Sequence, residues 1–188
     1  MAEGNSLKVI GLFGQSGSGK DTAAEVLSAK GYATMAFATP MKIFCKDVFG
    51  FTDEQLYGAS EERNVADPRW GFSPRTALIE LGTTFMHRLD DAAWVKYALR
   101  KIASLPFGDY VITDVRFQTE IDHLRQFGAN VVKITRPDRV AASHDDHVSE
   151  AGQAAIDDST FDAVIVNDGT ISVLHKKILA FESTVKDI

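Results

Sequence analysis

The chain has 188 residues, of which 45% are hydrophobic and 24% are charged, as is typical of one soluble globular domain with a sizeable core. Its net charge of -6 excludes a basic surface for duplex nucleic acid, and no apolar run approaches the ~18 residues of a membrane span. The single cysteine, Cys45, cannot form an internal disulfide, so we expect a buried thiol in a cytoplasmic protein.

A glycine-rich loop between a predicted strand and a predicted helix is the first motif of the chain. Residues 8–13 form the strand, residues 14–20 the loop, and the helix runs to about Lys30. Gly14, Gly19 and Lys20 match the phosphate-loop pattern G-x-x-x-x-G-K-[ST], with Asp21 at the last position. Inward-pointing N–H groups, the helix N-terminus and Lys20 predict a bound nucleoside triphosphate. The predicted phosphate-binding residues are Gly14, Gln15, Ser16, Gly17, Ser18, Gly19, Lys20, Asp21 and Thr22.

The next predicted elements are a weak strand and several helices. The strand covers residues 32–38, and Thr39-Pro40 predicts the cap of a helix that ends at Gly50. Residues 51–71 lack clear periodicity, and we expect a mobile insertion that faces the substrate, with a short helix near residues 52–56. Two further helices are predicted, one capped by Ser73-Pro74 and one over residues 91–105.

The second half of the chain alternates strands with helices. Strands are predicted at 110–114, 130–135 and 161–166, and helices at 118–127, 149–156 and 170–182. This alternation predicts an α/β fold with a mainly parallel sheet covered on both faces, which binds ligands at the carboxyl ends of its strands. The polar residues after the strands should therefore converge: Lys20, Asp114, Arg116, Arg136 and Asn167.

Two aspartates are candidates for binding Mg²⁺, directly or through water. Asp114 ends an apolar strand as a Walker-B carboxylate does, and the less favoured alternative is that it caps the next turn. Asp21 replaces the serine or threonine that usually binds the metal, and it could instead interact with the helix dipole. Arg136 and Arg139 flank Pro137 after a strand, which is consistent with a lid that closes over phosphates.

Ten segments in order resemble the deoxynucleoside monophosphate kinases of bacteriophages, a branch of the P-loop nucleoside monophosphate kinases. They are GKDT (19–22), FATPMK (37–42), FTDEQLYG (51–58), Pro74-Arg75, LIELGTTF (78–85), Arg88, Trp94-Val95, ITDVRF (112–117), HVSE (147–150) and VNDGT (166–170). The resemblance implies a single domain with a three-layer P-loop kinase fold, a five-stranded sheet, a helical acceptor-binding part at 38–107 and a lid region at 136–156.

The same resemblance implies an enzyme that uses ATP and Mg²⁺ to phosphorylate deoxynucleoside monophosphates for phage DNA synthesis in the host cytoplasm. The expected partners are these small molecules, with neither nucleic acid nor membrane, and a homodimer is left open. The implied catalytic residues are Lys20, Arg116 and Arg136. The implied acceptor-binding residues are Lys42, Arg75, Arg88, Trp94, Asp114 and Arg116; those of the lid are Arg136, Arg139, His147 and Glu150; and those beside the ATP base are Asn167, Asp168 and Gly169.

Two alternatives remain open from the sequence. One is a kinase of another small phosphorylated acceptor, such as phosphomevalonate, because that class has a similar phosphate loop. The other is a nucleotide-dependent switch that acts on a protein partner. The guanine-recognition signature Asn-Lys-x-Asp of many such switches is absent, since Asn167 is followed by Asp168 and Gly169.

Overall fold

The computed structural model describes residues 7–105, 108–137, 153 and 155–188. They divide into two compact units: residues up to Ala36 together with those from Val95 onward, and Phe37–Trp94. Most of the predicted lid, with Arg139, His147 and Glu150, lies outside the described residues, as does most of the predicted helix at 149–156. No helix within the described ranges is long and apolar enough to cross a bilayer.

The secondary structure of the described residues follows the predicted order. The strands are β1 (Val9–Phe13), β2 (Ala33–Met35), β3 (Tyr110–Val115), β4 (Asn130–Thr135) and β5 (Ala163–Val166). The α-helices are α1 (Lys20–Ala29), α2 (Ala38–Phe49), α3 (Asp53–Tyr57), α4 (Ser60–Asn64), α5 (Pro74–Ile79), α6 (Met86–Leu89), α7 (Ala93–Ser104), α8 (Gln118–Phe127) and α9 (Ile171–Glu182). A π-helix, Glu80–Phe85, joins α5 to α6, and a 3₁₀ turn, Asp158–Thr160, precedes β5.

The first unit is built on a parallel sheet with β1 at its centre. Within the described residues the five strands lie in the order β2-β3-β1-β4-β5, and every neighbouring pair is parallel, as predicted. Leu12 of β1 is buried in a cluster with Leu27 of α1 and Ile178 of α9. On the opposite face, Phe13 packs against Phe161 with ring centroids 4.7 Å apart. The strand that leads into the phosphate loop is thus fixed on both faces.

A β-bulge interrupts β3 where it runs beside β1. Gly11 pairs with Ile112 and Phe13 pairs with Val115, so β3 carries one extra residue over this interval. Asp114 lies within the interval, and the strand continues to Val115 rather than ending at Asp114 as predicted. Bulges redirect side chains and occur often beside active sites, so the local backbone of Asp114 has a feature that apolar periodicity does not reveal.

The second unit is helical around a small aromatic core. Phe49 packs against three other rings with centroids 5.3 to 5.5 Å away, those of Phe51, Trp70 and Phe72. Cys45 is fully buried in the same core, as predicted, and this burial raises the pKa of its thiol to about 11. A thiol with so high a pKa is protonated at neutral pH and is a poor nucleophile.

The segment predicted to be irregular contains two short helices, α3 and α4. The predicted short helix near residues 52–56 is confirmed: Thr52 Oγ1 accepts from the Gln55 N–H at 3.2 Å, and the Gln55 side chain accepts from the Thr52 N–H at 2.9 Å. Buried Asp67 then accepts from the Gln55 side-chain amide and from the Arg69 guanidinium, at 2.9 and 2.7 Å. The Arg69 guanidinium and the Gln55 amide hold the pKa of Asp67 well below its usual range. Local polar contacts therefore order a stretch that lacks periodicity.

Three further predicted boundaries were wrong. Helix α2 begins at Ala38, with Phe37 rather than Thr39 as its N-cap residue, and Pro40 is tolerated in the first turn because N–H groups there have no intrahelical partner. Strand β2 covers only Ala33–Met35 of the predicted 32–38, because the Tyr32 N–H donates to the Leu27 carbonyl at the end of α1 and α2 already begins at Ala38. Strand β5 omits Phe161, whose N–H closes the 3₁₀ turn. In each case a local hydrogen bond or helix start competes with the apolar pattern.

Glu182 joins the closing helix to the amino-terminal part of the first unit. Its carboxylate is 3% exposed, accepts from the Tyr32 hydroxyl at 3.0 Å, and pairs with Lys30 and Lys8. Burial alone would raise the pKa of Glu182, but the hydrogen bonds from Lys30 and Tyr32 outweigh it and lower the pKa. The ionised carboxylate therefore stabilises the fold.

We expect Glu182→Gln to lower the free energy of unfolding by about 2 kcal/mol, because charge-assisted hydrogen bonds are lost from a buried site. The contribution is complete above the usual glutamate pKa and disappears as the pH falls through the lowered folded-state pKa. Thermal unfolding at pH 7 and near pH 3 measures the effect, with exposed Glu25→Gln as the control. A difference between wild type and Glu182→Gln that does not shrink at the lower pH would contradict the assignment.

Candidate active site

The phosphate loop curls between β1 and α1 and holds its lysine inward. The Ser18 N–H donates to the Gln15 carbonyl at 3.2 Å, closing a turn within the loop. Lys20 is the first residue of α1, and its ammonium donates to the carbonyls of Gly14 and Gln15 at 2.5 and 2.8 Å. The ammonium thus lies over the loop, where it can meet the phosphates of a nucleotide.

Gly19 is required at its position by both backbone conformation and space. Its φ of 108° lies in the left-handed region, which side chains disfavour. A Cβ at this residue would lie 2.6 Å from the amide nitrogen of Asn167. The loop and the turn after β5 therefore approach each other too closely to admit a larger residue.

Asn167 ties the turn after β5 to the phosphate loop. Its side-chain amide donates to the Ser18 carbonyl at 2.9 Å, and its own N–H donates to the Thr135 carbonyl at 2.7 Å. The next residue, Asp168, accepts from Lys177 of α9 at 2.7 Å, and this hydrogen bond lowers the pKa of Asp168. Sequence reasoning placed this turn beside the ATP base and did not foresee that Asn167 would hold the loop itself.

The segment after β3 carries Arg116 at the carboxyl edge of the sheet. Arg116 is exposed, and Asp114 is half-buried in the β-bulge. Because the bulge breaks the regular alternation of side chains, their two-residue spacing no longer implies that both point to one side. The proposed meeting of these two side chains on the acceptor phosphate stays a prediction.

Glu120, which the sequence did not single out, lies buried beneath this segment. One of its carboxylate oxygens accepts from the N–H groups of Arg116 and Phe117 at 2.6 and 3.0 Å. Burial raises the pKa of Glu120 to about 7 and Asp114 adds to the rise, while the N–H groups of Arg116 and Phe117 act in the opposite direction. A glutamate three residues after a helix N-cap is a sequence signal that could have identified this role.

A cavity of about 270 Å³ separates the phosphate loop from the end of β4. Its lining residues include Gly14, Gln15, Ser18, Arg136 and Gln153. Ser18 and Gln153 are each 2% exposed, and among the described residues neither the Ser18 hydroxyl nor the Gln153 amide has a hydrogen-bond partner. Such buried polar atoms favour a polar occupant of the cavity. Arg136, predicted from the sequence, therefore lies beside the loop, whereas Gln153 was missed.

The oxygen donors near the start of α1 fit a magnesium ion. Asp21 is exposed in the first turn of α1, next to half-buried Thr22. Asp21 also lines a shallow cleft with Thr113, the neighbour of Asp114. Mg²⁺ is usually held by one or two carboxylates together with water and substrate phosphates, so a dedicated protein cage is not required. The described residues contain no group of three or more histidine, cysteine or acidic side chains that could hold a metal ion.

The other predicted acceptor-binding residues belong to the second unit. Lys42 in α2 places its ammonium 4.1 Å from the centre of the Tyr57 ring. Arg75 lies in the first turn of α5, and Arg88 lies exposed in α6. Trp94 donates its indole N–H to the Gly82 carbonyl at 3.3 Å. The unit thus holds four of the predicted acceptor-binding residues: three cations and Trp94.

The π-helix that accepts the hydrogen bond from Trp94 at Gly82 was not predicted from the sequence. Gly82 belongs to the π-helix, which interrupts the helical run between α5 and α6. A side chain at Gly82 would meet the sulfur of Met41 at 2.8 Å, so α2 packs closely against the π-helix. Short π-helical segments occur often at functional sites. This one precedes Arg88 by a few residues along the chain.

Comparison with known proteins identifies the family. The family model for deoxynucleotide monophosphate kinases matches residues 55–178. The chain is also 35% identical over 189 residues to a protein of Acanthamoeba polyphaga mimivirus assigned to deoxynucleotide monophosphate kinases, and the alignment covers 92% of this chain and 94% of the relative. The chain belongs to the deoxynucleotide monophosphate kinase family.

A phage enzyme of the deoxynucleotide monophosphate kinase family is also similar. The chain is 34% identical over 145 residues to deoxynucleotide monophosphate kinase from Enterobacteria phage T4, covering 71% of this chain and 57% of the phage enzyme. The predicted resemblance to phage kinases is therefore confirmed, although the alignment spans little more than half of the T4 protein.

Two solved kinase structures share the fold of this family member. Dephospho-CoA kinase from Campylobacter jejuni is 11% identical with a TM-score of 0.51, and covers 94% of this chain and 96% of its own. Shikimate kinase from Aquifex aeolicus is 14% identical with a TM-score of 0.50, and covers 93% and 96%. Likeness at such low identity concerns the fold alone, and it confirms the predicted three-layer P-loop kinase fold.

Proposed function

We propose that this chain transfers the terminal phosphoryl group of ATP to a deoxynucleoside monophosphate, giving ADP and a deoxynucleoside diphosphate. The observation that carries the proposal is the phosphate loop, closed around Lys20 and tied to Asn167, in a member of the deoxynucleotide monophosphate kinase family. In this reaction an acceptor phosphate oxygen bonds to the γ-phosphorus while the bond from that phosphorus to the ADP oxygen breaks.

Positioning and charge neutralisation are sufficient for this chemistry. The acceptor is already a phosphate anion, so no strong general base is needed to activate it. Lys20 and the loop N–H groups hold the ATP phosphates, Arg116 holds the acceptor phosphate, and Arg136 neutralises charge on the transferred group. The Asn167-Asp168-Gly169 turn supports the base side of the ATP site.

Residues near the start of α1 and the end of β3 would hold the Mg²⁺ that accompanies ATP. Asp21 and Asp114 would hold the ion through water, with Thr22 as a neighbouring hydroxyl. When bound, the ion neutralises charge on the phosphates.

The acceptor also uses residues of the second unit. Lys42, Arg75 and Arg88 supply positive charge for its phosphate, and Trp94 supplies an aromatic surface for its base. In this proposal the whole chain is one kinase domain, with residues 38–107 as the acceptor-binding part and residues 136–156 as the lid.

An ADP-release assay with a panel of acceptors tests the proposed function. With ATP and Mg²⁺, we expect ADP to form only when dAMP, dGMP, dCMP or dTMP is supplied, because in-line transfer requires both substrates. Phosphomevalonate in the same panel tests the alternative kinase. ATP binding without stimulation by any acceptor, together with a nucleotide-dependent protein partner, would instead favour the switch.

A further inference from the structure

The backbone of the two residues between β3 and α8 is held by hydrogen bonds to a single buried side chain. The carboxylate of Glu120, 6% exposed, accepts from the Arg116 N–H at 2.6 Å and from the Phe117 N–H at 3.0 Å. The Glu120 N–H in turn donates to the Phe117 carbonyl at 3.1 Å. Glu120 thus fixes the peptide groups on both sides of Phe117.

This arrangement ties the backbone of Arg116 to the core of the first unit. Neighbouring Ile121 and Leu124 of α8 are fully buried, so the helix that carries Glu120 is itself anchored. The Arg116 side chain is exposed and has several rotatable bonds, so its reach depends on where its Cα is held. Fixing that Cα limits the positions available to the guanidinium.

The choice of residue at position 120 is costly for a purely structural role. Removing a carboxylate from water is unfavourable, and an apolar residue would pack inside without that penalty. Phe117 is the N-cap residue of α8, and Glu120 stands three residues later, where a carboxylate can reach back to the N–H of the N-cap residue. The same Glu120 oxygen extends this contact to the Arg116 N–H, one residue further back.

We propose that Glu120 is a positioning residue that holds Arg116 in place for the acceptor phosphate. The proposal rests on the proposed function, which assigns Arg116 to that phosphate. The essential group is the accepting oxygen, since the one oxygen receives both N–H groups. Glutamine keeps such an oxygen and alanine removes it, so the two substitutions separate this role from that of the charge.

Initial-rate kinetics of Glu120→Ala and Glu120→Gln test the proposal, varying the best acceptor of the panel and ATP in turn. We expect Glu120→Ala to raise KM for the acceptor about tenfold, because the backbone of Arg116 is no longer fixed, and to leave KM for ATP unchanged. Glu120→Gln should restore the wild-type KM for the acceptor. Glu182→Gln, which removes another buried carboxylate of the same unit, is the matched control and should change stability alone.

Two results would overturn the proposal: an acceptor KM that is unchanged in Glu120→Ala, or one raised as much by glutamine as by alanine. Hydrogen exchange at the Arg116 and Phe117 amides provides a second measurement, with Glu120→Asp as a further variant if the alanine variant does not fold. Amide exchange should be slow in wild type and in Glu120→Gln, and faster in Glu120→Ala or Glu120→Asp, where the accepting oxygen is removed or withdrawn. Equal exchange rates in wild type and in these last variants would contradict the positioning role of Glu120. If wild type shows no acceptor-dependent turnover, the proposed function fails, and the exchange data still decide whether Glu120 holds Arg116.

Discussion

Replacing Lys20 by alanine is expected to reduce acceptor-dependent phosphoryl transfer about a thousandfold while leaving the protein folded. The ammonium donates to the Gly14 and Gln15 carbonyls and lies over the loop. It is therefore a positive charge held within the predicted phosphate site. Loss of one preorganised charge from a phosphoryl-transfer site has effects of this order. The measurement is kcat/KM for the acceptor, together with circular dichroism of the variant.

Lys101→Ala is the matched control for this variant. Lys101 lies exposed in the last turn of α7, so its removal deletes an ammonium of the same unit without touching the loop. Activity in Lys20→Ala that stays near the level of Lys101→Ala would show that Lys20 does not serve the transferred phosphates.

Replacing Gly19 by alanine is expected to weaken ATP binding about tenfold or more. The substitution forces a side chain into a φ of 108° and brings its Cβ to within 2.6 Å of the Asn167 amide. Strain of this kind costs of the order of 1–3 kcal/mol, and relief requires the loop to move or the Asn167 bond to Ser18 to break. Isothermal titration with ATP and Mg²⁺ measures the loss.

Gly31→Ala separates backbone strain from the geometry of the loop. Gly31 has a nearly identical φ of 109°, but among the described residues, its chain neighbours aside, no heavy atom lies within 4 Å of a Cβ built there. It follows the far end of α1, so its substitution should reduce stability and leave ATP affinity unchanged. Equal ATP affinities for the two variants would contradict the role assigned to Gly19.

Features set by local patterns were predictable from the sequence. Helix α8 and strand β4 have their predicted bounds, because an apolar pattern and a glycine stop coincide at Gly128. The closing helix is likewise capped by Thr170, whose hydroxyl accepts from the Val173 N–H. The phosphate loop was recognisable because its spacing and its position between strand and helix are themselves the motif.

Features set by contacts between distant segments were not predictable. The bond from Asn167 to Ser18 joins residues 149 positions apart; Asn167 was expected to lie near Lys20, but no local pattern indicates this particular hydrogen bond. The bulge at Asp114 depends on pairing with β1, and the π-helix interrupts a run that reads as continuous helix. The position of Glu120 three residues after the N-cap could have identified its contact with the backbone, but its burial was not evident from the sequence.

Transfer of labelled phosphate from γ-³²P-ATP tests the central claim most directly. With Mg²⁺ and the best deoxynucleoside monophosphate, separation of the products should show the label in the deoxynucleoside diphosphate, in amounts equal to the ADP formed. Label that remains in ATP, or that is recovered only as inorganic phosphate, would contradict phosphoryl transfer to that acceptor.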